Sequence, residues 1–121
     1  MSSPAGELRA AATKLRALAT AASDDSGSTN WHASRHFPEL PDSTFTALWA
    51  TGVRSLIGGG GGRGRPPGYV SAPVGDYIAA LDPAVGLLFA DWLDAAAVDA
   101  EQIGPAPHAL AVARAINGGQ S

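Results

Sequence analysis

The sequence predicts an α+β fold: an N-terminal helix, a small antiparallel β-sheet built as a hairpin or meander, then two or three C-terminal helices packed on it. Three observations carry that expectation. Apolar residues recur at helical spacing near the start, threonines, aromatics and prolines dominate residues 31–57, and helical spacing returns over residues 74–117. The 121 residues are expected to form a single domain, 1–121, because two cores of about 60 residues would each be marginal.

Leu8, Ala11, Ala12, Leu15, Leu18, Ala19 and Ala22 form the first stripe, with Arg9, Lys14 and Arg16 elsewhere around the helix. Ser3 supplies an N-cap and Pro4 a residue already set at helical φ, so the first helix is expected from Pro4 to Ala22. "SDDSGSTN" should end it. The stripe is narrow and rich in alanine, which suits close packing against one partner surface, including a second copy of the same helix.

Trp31, Ala33 and Arg35 alternate with His32, Ser34 and His36 as a short strand does. Ser43 to Ile57 reads two ways. Phe45, Leu48, Trp49, Val53, Leu56 and Ile57 match a helical stripe, whereas Phe45, Ala47, Trp49 and then Val53, Ser55, Ile57 match two strands. A hairpin turning at Thr51 and Gly52 is preferred, because the threonines are poor helix formers and glycine costs a helix about 1 kcal/mol.

Val74, Tyr77, Ile78 and Leu81 then line one face of a helix that ends where Asp82 can cap and Pro83 can start the next. Val85, Leu88, Phe89, Trp92 and Ala96 should be the buried stripe of that next helix. A last helix, Pro107 to Ile116, presents Leu110, Ala113 and Ile116 and stops at Asn117 and Gly118, a pair suited to a left-handed cap.

The stretch "SLIGGGGGRGRPPGYV" has little side-chain area to bury between Gly58 and Gly68, so a flexible connection is the ordinary reading of residues 58–68. It lacks the Lys-Ser/Thr of a P-loop and the βαβ setting of a dinucleotide site. An anion site remains open: backbone N–H groups around Gly60 and Gly62 forming a nest, with Arg54, Arg63 and Arg65 clamping a phosphate.

Other chemistry finds less support. His32 and His36 lie four apart with Glu39 and Asp42 following, but on a strand four residues span about 13 Å, too far for one metal ion. No metal and no cofactor are expected. Asp91 and Asp94 share a helix face without apolar or basic surroundings in the sequence, the mark of a solvated face rather than an acid–base pair. No G-x-S-x-G motif supports a triad with His32, His36 or His108, so no catalytic constellation is expected. Trp31, Trp49 and Trp92 read as core rather than as a stacking platform.

Net charge is −3, concentrated in residues 76–121, which hold one basic and six acidic groups. That balance and a single lysine disfavour nucleic acid. No apolar run reaches the roughly 20 residues that span a bilayer, and Lys14 and Arg16 interrupt the first segment as no secretory signal allows. The absence of cysteine fits a reducing compartment, so the expected location is the cytoplasm.

Taken together, "ELRAAATKLRALA", a tryptophan just after the first helix, "VGDYIAALDPAVGLLFADWLDAAA" and "ALAVARAING" resemble a family of small actinobacterial and actinophage proteins. The "DYIAALDPAV" region is also similar to Ea22-like phage proteins. The resemblance covers about half the chain and implies a helix, a small sheet and further helices in a phage or prophage context. It carries over no catalytic residues. The expected function is that of a small non-enzymatic accessory protein acting by protein–protein binding, with self-association among the options. The alternative is a sequestering protein for a nucleotide or other small phosphate ligand.

Overall fold

Ser3 opens α1 (Pro4–Ser26) as expected: its Oγ accepts the Gly6 N–H at 3.0 Å, and Pro4 takes a position where its missing N–H costs nothing. The helix runs past Ala22 through Ser26 and stops at Gly27, whose φ of +85° is one that side chains rarely adopt. Polar residues in "SDDS" do not end a helix by themselves; the left-handed glycine does.

The computed structural model describes residues 3–35, 44–57 and 68–118. They build an α+β fold with the expected order of a helix, a small antiparallel sheet and further helices. The chain forms two compact units, Met1–Ala21 with Gly86–Ser121, and Ala22–Val85.

In the second unit, β1 (Trp31–Arg35) pairs antiparallel with β2 (Phe45–Ala50), Trp31 opposite Ala50 and Arg35 opposite Thr46. The chain then turns through Gly52, at φ +77°, and the Val53 N–H donates to Ala50 O at 2.9 Å before β3 (Arg54–Ser55) begins. The hairpin reading is therefore the correct one. A strand the pattern did not reveal, β4 (Val70–Ser71), pairs with the other end of β2; two residues are too few to show alternation. As the middle strand, β2 buries residues on both faces, Ala47 as well as Thr46, Leu48 and Ala50.

Helix α2 (Ala72–Ala80) follows β4 directly, two residues earlier than its apolar stripe suggested, and packs on β1, β2 and β4. Its sheet-facing residues are Ala72 and Gly75. A Cβ at Gly75 would overlap Thr46 Cγ2 and come within 3.0 Å of Val70 Cγ1, so the helix lies as close as a glycine permits. The expected face of Val74, Tyr77 and Leu81 consequently points away from the sheet, and Tyr77 is 68% exposed. Asp82 closes the unit: Oδ1 accepts the Val85 N–H at 3.0 Å and caps α3 (Pro83–Gln102), while Oδ2 accepts the Trp31 N–H at 3.2 Å.

The first unit is a three-helix core in which Ala5, Leu8, Ala11 and Ala12 of α1 meet Ala90, Leu93, Ala96 and Ala97 of α3 and Ala109 and Ala113 of α4 (Pro107–Ile116). Gly86 is close enough to Ala19 that an added Cβ would lie 3.1 Å from its Cβ. This packing corrects the predicted stripes. Leu18 of α1 is exposed, and α3 is turned so that Leu93 is buried while Leu88 is 69% exposed. The reason is steric: against an alanine surface, alanines let two helices approach, whereas Leu88 and Trp92 would hold them apart. α4 ends as expected, the Asn117 N–H donating to Ala113 O at 2.9 Å and Gly118 at φ +74°.

Candidate functional site

Of the residues proposed for a phosphate site, only Arg54 lies within the described part; Gly60, Gly62, Arg63 and Arg65 lie outside it. Arg54 follows the Gly52 turn and donates through one terminal nitrogen to Asp25 O at 2.8 Å and to Asp25 Oδ2 at 3.3 Å. The guanidinium thus sits on the carbonyl end of α1, where a cation is favoured by the helix dipole and by the carboxylate. The residues flanking the glycine run meet: the Gly68 N–H donates to Ile57 O at 3.0 Å.

The histidine cluster is reduced to His32 among the described residues, since His36, Glu39 and Asp42 lie outside them. His32 Nδ1 is 2.9 Å from Thr51 Oγ1, in the turn that follows β2. Among the described residues no three His, Asp or Glu side chains could hold a metal ion.

The Asp91 and Asp94 pair is a correction. Their surroundings were read as lacking a cation, yet Arg16 of α1 bridges them, at 3.1 Å to Asp91 and 2.7 Å to Asp94. The hydrogen bonds to Asp94 and Asp91 raise the Arg16 pKa further above its ordinary value. Arg9 likewise binds Glu101, and that hydrogen bond and charge hold the Glu101 carboxyl below its ordinary value. Arg114 chelates Glu7 through two nitrogens at 3.3 and 3.2 Å. These carboxylates and guanidiniums fasten helices to one another; among the described residues no buried side-chain nitrogen or oxygen lacks a partner.

The tryptophans also depart from expectation. Trp31 and Trp49 are half-buried and, from their register, occupy opposite faces of the sheet, while Trp92 is 45% exposed. The alanine stripe of α1, expected to serve self-association, is spent in the core of the first unit.

What remains is an inversion of the usual apolar order. Among the described residues the buried hydrophobic side chains are all alanine except Leu8, Leu48 and Leu93, while Val74 and Tyr77 of α2, Leu81 just after it, and Leu88, Trp92 and Val98 of α3 are exposed. Val74, Tyr77 and Leu81 follow one another at i, i+3 and i+7; on α3 Trp92 borders a groove of about 290 Å³ that Asp99, Ile103 and the start of α4 also line. The signal for this lay in Gly75 and in the alanines sharing each helix with the larger residues: small side chains mark where backbones come close. Comparisons with protein-family models, with curated proteins and with solved structures find no match.

Proposed function

We propose that this chain is a non-enzymatic accessory protein, of the phage or prophage kind its sequence resembles, that acts by binding another protein. The observation that carries the reading is the outward face of α2, where Val74, Tyr77 and Leu81 stand in solvent although the helix has a sheet beneath it to pack against. Contiguous exposed apolar surface on a small protein marks an interaction site, and a tyrosine between aliphatic neighbours has the composition of an interface centre. Among the described residues no helix is long and apolar enough to cross a membrane. No observation favours the phosphate-ligand alternative, whose one described residue, Arg54, is engaged by Asp25.

The test is a photo-crosslinking amino acid placed at Tyr77 or, as control, at exposed Thr13 of α1, in cells of an actinobacterial host. A discrete adduct from position 77 and none from position 13, lost when Val74→Lys is added, is the expected result. Equal patterns from both positions, with a monomer in sedimentation, would refute the reading.

A further inference from the structure

The groove of the first unit has a chemistry of its own. Its volume of about 290 Å³ stands at the lower edge of the about 300–1,000 Å³ of small-molecule sites and has room for one or two side chains. Its aromatic wall is fixed in place, because Trp92 meets Phe89 edge to face with centroids 5.3 Å apart and planes at 89°. Ile103, 84% exposed, is the most exposed large apolar residue among those described and lies on the same rim.

The one ionisable side chain lining the groove is Asp99, and its carboxylate has no hydrogen bond or ion pair among the described residues. The arginines of this unit cannot neutralise it. Arg9 is bound to Glu101, Arg16 to Asp91 and Asp94, and Arg114 to Glu7. The carbonyl end of α3, which holds no basic residue in its last turn, and the amide end of α4 at Ala106 both reach the groove and offset one another, which leaves the Asp99 carboxylate as its one full charge.

Resting on the protein-binding reading above, we infer that this groove receives a partner segment carrying a bulky apolar side chain with a lysine or arginine beside it. The apolar side chain seats against Trp92 and Ile103, and the cation meets Asp99. An acidic or phosphorylated segment is disfavoured by the Asp99 carboxylate.

The experiment uses the full chain and three fluorescein-labelled dodecapeptides with leucines at i, i+4 and i+7 and Lys, Gln or Glu at every other position. Anisotropy at low salt should rank them Lys, then Gln, then Glu. Asp99→Asn should remove about two- to fivefold of the Lys over Gln preference, the size of an exposed charge pair. Asp24→Asn, an equal charge change on another exposed acid, should leave that preference intact. Ala95→Trp fills the groove from an exposed position and should weaken all three peptides at least tenfold with the helical circular dichroism unchanged. A preference unaltered by Asp99→Asn, or binding that survives Ala95→Trp, overturns the proposal. Peptide binding lost with Tyr77→Lys but kept with Ala95→Trp would leave protein binding standing and move it to α2. Lys-peptide binding with the expected Asp99 and Ala95 effects, alongside no adduct from position 77, would uphold the groove and remove the α2 face.

Discussion

Replacing Gly75 by alanine should destabilise the protein, against the usual sign for a helix interior. Where the added methyl meets solvent, Gly→Ala gains about 1 kcal/mol of helix propensity. At Gly75 the methyl would overlap Thr46 Cγ2 and press on Val70 Cγ1 at 3.0 Å. Thr46 has no room to yield: it is fully buried in the middle strand, it is β-branched, and its hydroxyl donates to Ala47 O at 3.3 Å. The helix must therefore lift from the sheet, an overpacking strain of about 1–3 kcal/mol. With overlap this direct the upper end applies, and after the propensity gain a net loss of about 2 kcal/mol remains. At about 4 °C per kcal/mol for a chain of this size, Tm should fall by roughly 8 °C. Thermal and urea unfolding followed by circular dichroism measure it. Thr46→Ser removes the obstructing methyl, so in that background Gly75→Ala should recover about half of its cost, a coupling of about 1 kcal/mol between the two positions. A Gly75→Ala protein as stable as the parent, or no recovery in the double variant, would refute the close approach of α2 to β2.

Leu93→Ala should cost about 2–5 kcal/mol, as for a fully buried leucine, while Leu88→Ala on the exposed side of α3 should stay within about 0.5 kcal/mol; equilibrium unfolding of both reads the rotation of that helix directly. Asp82→Ala removes the cap of α3 and the acceptor of the Trp31 N–H together, and should lower stability by about 1–3 kcal/mol, with Asp82→Asn retaining much of it in denaturant titration. Because Arg9 lowers the Glu101 pKa in the folded state, the stabilisation from Glu101 is present above the unfolded carboxyl pKa and is lost as pH falls through the folded value. The Tm difference between the parent and Glu101→Gln should accordingly be largest near neutrality and vanish in acid, in a series of melts across that range.

The sequence by itself determined the punctuation of this protein. Ser3–Pro4, the turn at Gly52, the break at Asp82–Pro83 and the stop at Asn117–Gly118 were all legible, because a cap or a positive φ is settled by atoms within a few residues of one another. The α+β order followed from those marks and from the periodicity between them. Of the proposed phosphate-site residues, sequence spacing offered no means of seeing that Arg54 answers to Asp25, and the same distance along the chain hid the Arg16 bridge to Asp91 and Asp94.

The stripes of α1 and α4 were legible in the sequence, but only the tertiary structure decided which way α2 and α3 face. Periodicity shows that a stripe exists and invites the larger residues to be placed inward; on α2 Val74, Tyr77 and Leu81 are instead exposed, and on α3 Phe89 and Ala96 stay on the core while Leu88 and Trp92 turn outward. The physical reason is that backbone proximity was won by glycine and alanine: Gly75 against Thr46 and the alanines of α1 against those of α3 let the elements approach closely, which left Val74, Tyr77, Leu88 and Trp92 on the outside. Contacts between residues far apart in the chain chose the faces, and those faces are what gives the molecule its candidate binding surfaces.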